Sequence, residues 1–203
     1  MLDLAAIYHT NKDYVKAMIY FKQSYTALED DPFDKDVKLE CQLLYYLTDT
    51  AIALTDIFQA SSYVSKCLEF FKEEENQSQI SDSLFAKIKY VIGLTSLSKE
   101  QYSQSLDSLT DSLQYALKES RSSSDINFLG KLVFNIGKAL KYMGNEELSM
   151  QYLRKAVDVT IKSKDVDTNT LATSLVNSLA KQAPAPSTEV PKVVPICAIV
   201  FNV

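Results

Sequence analysis

A pair of small residues twelve positions apart recurs along the chain, as Ala5 and Ala17, Thr48 and Ala60, Gly93 and Ser105, and Gly137 and Ser149. The first members are spaced by 43, 45 and 44 residues. Small side chains at both ends of such an interval let two consecutive helices approach closely, each offering the other a flat patch. Larger apolar residues follow four positions on, at Phe21, Val64, Leu109 and Leu153, which keeps them on the same helical face as the small residue. A hairpin built this way cannot bury its apolar face alone. The period therefore demands a stack of hairpins, each covering the next.

Composition agrees with an all-helical chain. Only 4 Gly and 5 Pro occur among 203 residues, beside 46% hydrophobic residues, so strands and Gly-built nucleotide loops are not expected. Helix pairs are expected at 2–10 with 13–29, 36–56 with 58–75, 82–97 with 100–120, and 125–143 with 145–163, closed by a last helix at 167–182. Polar stretches mark the loops between pairs: Glu29 to Pro32, Glu73 to Ser78 and Ser120 to Ser124. Asp82, Asp125 and Asp165 are expected N-caps, and Gly144 with Asn145 a turn. The order of a helix ending in an aromatic (Tyr8), a polar turn (Lys12, Asp13), and a second helix carrying Ala17 and Phe21 is the tetratricopeptide pattern. The expected fold is all-α, a right-handed superhelix of about four such pairs with a capping helix. The expected layout is a repeat domain at 1–182, a Pro-rich linker at 183–194 and an apolar tail at 195–203.

Charge and motif content exclude several functions. A formal charge of -5 and a pI near 5.0 disfavour direct nucleic-acid binding. Cys41, Cys67 and Cys197 lack metal-ligand spacing, which suits a reduced cytoplasmic protein with no metal and no cofactor. No apolar run approaches the roughly 18 residues of a membrane span. Walker loops, paired catalytic carboxylates, zinc-protease helices and nucleophile elbows are lacking, so no enzyme is expected. His9, the one histidine, has no nucleophile or metal-ligand partner near it in sequence and is expected to be a surface residue.

The segments Phe85-Ala86-Lys87-Ile88-Lys89-Tyr90, Gln101-Tyr102-Ser103-Gln104-Ser105-Leu106, Phe128-Leu129-Gly130-Lys131-Leu132 and Gly137-Lys138-Ala139-Leu140 resemble the repeat domains of Gram-positive peptide-pheromone receptors, the Rgg, Rap, NprR, PlcR and PrgX group. The resemblance spans about the central half of the chain. It implies a cytosolic sensor that binds a short imported peptide on its concave face and regulates transcription in quorum sensing. Most of that group carry an N-terminal helix-turn-helix. This sequence departs there, because helical repeat pattern begins at Leu2.

In such a stack the first helix of each pair lines the concave face. Counting from the small residues selects Gln42, Tyr45 and Asp49, then Lys87, Tyr90 and Leu94, then Lys131, Phe134, Lys138 and Lys141, with Asn135 at the edge. Ammonium groups and aromatics together suit an extended peptide. Lys87 and Lys131 would pair with a C-terminal carboxylate, Asn135 would bond the ligand backbone, and Tyr45, Tyr90 and Phe134 would bury apolar side chains. The alternative for these residues is a solvated face with aromatics packed between repeats. The tail, Pro195 to Val203, is apolar up to its carboxylate like the signalling peptides of the group, and is a candidate tethered ligand of its own or a neighbouring molecule. The expected function is a peptide-binding regulatory receptor domain, able to form a homodimer. The competing expectation is a scaffold or adaptor that holds a folded partner subunit.

Overall fold

Side-chain caps start most of the helices. In the computed structural model, which describes residues 1–30, 36–72, 78–118 and 123–181, α1 is Leu2–Thr10, α2 Tyr14–Glu29, α3 Val37–Ala53, α4 Ile57–Phe70 and α5 Asp82–Ser98. These are followed by α6 at Tyr102–Ala116, α7 at Ser123–Tyr142, α8 at Glu146–Ser163 and α9 at Val166–Leu179. Carboxylates of Asp13, Asp36, Asp56 and Asp165 accept from the backbone N–H three residues on, and Ser81 and Asn145 cap α5 and α8 in the same way. Each cap satisfies an N–H that the helix itself leaves open. Two caps differ from expectation. Asp82 yields the role to Ser81, and Asp125 lies inside the first turn of α7, where a carboxylate still suits the helix dipole. The linker at 183–194, the tail at 195–203 and residues 73–75 of the expected 58–75 helix lie outside the described residues.

The chain forms two compact units, Met1–Lys99 and Glu100–Val203. In the first, α1 packs on α2 and α3 on α4; α3 also rests on α2, and α5 lies against both α3 and α4. In the second, α7 packs on α8 and α6 on α7, while α9 lies against α8 and, more lightly, α7. Among the described residues every regular element is a helix. This is the tetratricopeptide arrangement, in which the helix opening one pair covers the pair before it.

The small residues sit where the repeat requires them. Ala5, Ala17, Thr48, Ala60, Ser105 and Ser149 are all fully buried. The fourth pair shows why size matters. Ser149 Oγ donates to the Gly137 carbonyl at 2.8 Å, across the twelve-residue interval. A Cβ on Gly137 would lie 2.8 Å from Leu153 Cγ and 3.2 Å from the Leu153 backbone nitrogen. One heptad earlier, a Cβ on Gly130 would meet Thr160 Cγ2 at 2.8 Å, and that methyl is held in place because Thr160 Oγ1 donates to Ala156 O at 2.8 Å. Two glycines on one face thus let α7 and α8 run almost backbone to backbone.

A shared turn accompanies these contacts. Lys12, Thr55, Glu100 and Gly144 all have φ between 60° and 78°, each seven residues after the first small residue of its repeat. After α1, α3 and α7, the N–H of the next residue (Asp13, Asp56 or Asn145) donates back to the carbonyl five positions earlier (Tyr8, Ala51 or Leu140), and the same residue then caps the following helix. This is a left-handed C-terminal stop fused to an N-cap. Only Gly144 meets it without steric strain.

Burial also settles the cysteines described. Cys41 and Cys67 are buried free thiols, and loss of solvation pushes the Cys41 pKa up to about 12 and that of Cys67 upward too. Both stay protonated and unreactive in the folded chain.

Two substitutions test this account by urea unfolding. Gly137→Ala should lower stability by about 1–3 kcal/mol, because the Leu153 side chain, with the α8 backbone behind it, stands in the way of the added methyl. Thr55→Gly should raise it by up to about 1 kcal/mol, since a β-branched residue is held there in a left-handed conformation.

Candidate functional site

In the first unit, the packing of α5 on α3 leaves a cavity of about 170 Å3, lined by Lys38, Gln42, Tyr45 and Tyr46 from α3, by Ser83, Leu84 and Lys87 from α5, and by its cap Ser81. Gln42, Tyr45 and Lys87, chosen from sequence on separate helices, therefore meet at one opening. Lys38, Gln42, Tyr45 and Tyr46 share a face by helical spacing. The first turn of α5 arrives opposite them because Ser81 fixes where that helix begins: its Oγ accepts from the Leu84 N–H at 3.2 Å.

The cavity wall is continuous with a denser aromatic cluster. Tyr46 stacks on Phe21 with ring centroids 4.9 Å apart, and His9 meets Tyr14, Phe21 and Tyr46 edge-on at 5.4, 6.2 and 5.8 Å. His9 Nε2 lies 3.1 Å from Asp49 Oδ2, but off the axis of a proper hydrogen bond. Two expectations are revised here. His9 is a partly buried packing residue at the meeting of α1, α2 and α3. Asp49 faces His9 at close range. Burial, with Asp49, Tyr90 and Tyr46 adding to it, raises the Tyr45 pKa well above the ordinary phenol value. Its hydroxyl is a neutral donor at physiological pH. Tyr90 itself is buried, with 6% of its surface exposed.

The second unit carries the remaining expected residues on α7. Lys131, Phe134, Asn135 and Lys138 follow one another at helical spacing and share a face. Lys131 is exposed and Lys138 half-buried, whereas Phe134 and Asn135 are each only 9% exposed. Asn135 Nδ2 donates to the Lys131 carbonyl at 2.8 Å, so part of its amide is engaged within its own helix. Lys138 has no carboxylate partner among the described residues, and burial lowers its pKa. Sequence reasoning missed Lys38 and the serines of the α5 start. Lys38 lies ten residues before Thr48, one turn beyond the stretch counted from the small residue. The signal that finds it is its spacing of four from Gln42.

Among the described residues no group of His, Cys, Asp and Glu is placed to hold a metal ion, and no helix is long and apolar enough to cross a membrane. The sequence matches the tetratricopeptide-repeat family over residues 130–160, the stretch from Gly130 to Thr160 where α7 and α8 touch most closely. No curated protein matches it. A crystal structure of TPR-like repeats from Podosopora anserina, assigned to a kinesin light chain, is similar with a TM-score of 0.61 and 11% identity, covering 89% of this chain and 83% of that one. Fold is what that likeness shows. Tetratricopeptide repeats serve protein–protein interaction in general.

Lys138 gives a prediction with a definite sign. Its folded pKa lies below the ordinary lysine value, so between the two the unfolded chain holds the extra proton. Stability contributed by this site falls as pH drops through that window, and the penalty is fully present at neutral pH. Lys138→Met should therefore raise the thermal midpoint at pH 7, and the gain should shrink as pH approaches the ordinary lysine value.

Proposed function

We propose that the chain is a peptide-binding regulatory receptor domain of the pheromone-sensing kind, which takes a short linear peptide as its ligand. The observation that carries this reading is the cavity between α3 and α5, where Gln42, Tyr45 and Lys87 converge with Tyr46 beside them. A side-chain amide, a neutral phenol and an ammonium group around an aromatic wall meet the three needs of an extended peptide: backbone bonding, apolar burial and charge. Lys131, Phe134, Asn135 and Lys138 on α7 offer the same chemistry a second time, and Asp49 and Tyr90 support the first set from behind. In this reading the ligand's apolar side chains enter beside Tyr45. The segment 195–203 is a tethered example of such a ligand, and occupancy acts on a dimer contact.

A chain ending at residue 183, titrated with the free nonapeptide of residues 195–203 and followed by calorimetry, tests the proposal, together with mass spectrometry of small peptides that co-purify with the full chain. Binding should be saturable, and Gln42→Ala should weaken it by about three- to tenfold through the lost hydrogen bond, with the circular dichroism unchanged. If neither that nonapeptide nor any co-purifying peptide binds, and only a folded protein is retained, the receptor reading is wrong and a scaffold takes its place.

A further inference from the structure

We infer that Cys41 and Cys67 are a redox modification site, a thiol pair that closes to a disulfide under oxidation and staples the open end of the α3–α4 hairpin. Their place in the repeat carries the argument. Thr48 and Ala60 are the small pair of this hairpin; Cys41 lies seven residues before the one and Cys67 seven residues after the other. Seven residues are close to two helical turns, so in an antiparallel hairpin the two cysteines keep to the facing sides and to one level. The fourth pair shows how near the helices run at that level. There Gly130 and Ala156 hold the same two positions, seven before Gly137 and seven after Ser149. A Cβ on Gly130 would meet Thr160 Cγ2 at 2.8 Å and Val159 Cγ1 at 3.4 Å, both on the facing helix. Cys41 and Cys67 are each 1% exposed, so both sulfurs are enclosed in the packing. After burial itself, Cys41 is the largest cause of the raised Cys67 pKa, which is the influence of a close neighbour.

Access comes from the same placement. Cys41 is the fifth residue of α3, and Cys67 stands three residues before Phe70, the last of α4. Both therefore lie at the end of the hairpin remote from the Thr55 corner, where helix ends open at least cost. Closed, the hairpin keeps the thiols protonated and inert; opened by a turn at that end, it lets one of them ionise and react. The thiolate attacks a low-molecular-weight disulfide and displaces one half of it, and the second cysteine then attacks the mixed disulfide and displaces the other half. Two cysteine thiols lose two electrons and two protons, and the small disulfide gains them as two free thiols. The new S–S bond is buried when the helices pack again. Cys41 adjoins Gln42 and lies one turn from both Lys38 and Tyr45, so the bond fixes the α3 wall of the cavity against α4.

The test uses the full chain, incubated folded with millimolar oxidised glutathione. Remaining thiols are then alkylated in urea, and a tryptic digest is read by mass spectrometry. Cleavage after Lys38, Lys66 and Lys72 puts Cys41 in the peptide 39–66 and Cys67 in the peptide 67–72. These two should appear joined, and a reductant should separate them. The thermal midpoint of the oxidised chain should lie about 5–10 °C above that of the reduced chain. Cys41→Ala and Cys67→Ala should each abolish the joined peptide and the rise, whereas Cys197→Ser should keep both. Recovery of Cys41 and Cys67 alkylated or carrying glutathione after prolonged oxidation, or linked only to Cys197 or to a second molecule, would overturn the staple and leave the two as packing residues. A joined peptide with an unchanged or lowered midpoint would overturn it too, since the bond would then form at the expense of the hairpin.

Discussion

The distance of closest approach between the two helices of a hairpin governs what else this chain can do. At the α7–α8 contact that distance is set by Gly130 and Gly137, which leave no room for a methyl, and by the Ser149 hydroxyl bonded to the Gly137 carbonyl. A hydroxyl donating to a carbonyl already used within its own helix adds a polar tie inside a contact that is otherwise apolar. Once a hairpin is closed this tightly, its outer faces present fixed ridges, and the next helix has few ways to lie against them. In the first unit, α5 rests on both α3 and α4. The cavity is what remains where the early turns of α3 and α5 diverge.

That origin explains the chemical character of the cavity. Lys38, Ser81, Ser83 and Leu84 stand at the starts of α3 and α5, and Gln42, Tyr45, Tyr46 and Lys87 follow in the next turns, with Leu84, Tyr45 and Tyr46 also packed in the core. Polar groups accumulate there: Gln42, Ser81, Ser83 and two lysines, against an aromatic back wall of Tyr45 and Tyr46. Behind that wall the packing is tight, with Phe21 stacked on Tyr46 and the imidazole of His9 set among three rings. A rigid wall behind a polar rim keeps the cavity in shape, which under the proposed reading reduces the entropy lost on association.

Helices and their pairing were legible because both depend on periodic side-chain size. Ala5, Ala17, Thr48, Ala60, Gly93, Ser105, Gly137 and Ser149 all mark buried positions, and the expected helix ends fall within a few residues of the observed ones wherever these are described. The site was legible only in part. Gln42, Tyr45 and Lys87 could be chosen because they stand on the face counted from a small residue, yet no count from one helix shows how deep a neighbouring helix leaves them. Phe134 and Asn135 were read as groove residues and are nearly covered. His9 was misjudged for the same reason. Its surroundings, Tyr14 and Phe21 of α2 and Tyr46 and Asp49 of α3, come from two other helices, and proximity across helices is not written in local spacing. The left-handed turns were hidden for another reason. Gly144 signals one openly, while Lys12, Thr55 and Glu100 adopt the same backbone with side chains that give no sign of it.

These corners bear on how such a chain can change over time. Hydrogen bonds between main-chain groups, and a cap that short polar residues provide, hold the geometry of the bends at Lys12, Thr55 and Gly144. The residue at the bend itself can therefore be Lys, Thr or Gly, and Glu100 adopts the same φ. Kinship among the repeats is thus preserved in backbone angles long after it has faded from the letters. A comparison of sequences then recovers a single hairpin of this chain, while a comparison of shapes follows it nearly from end to end.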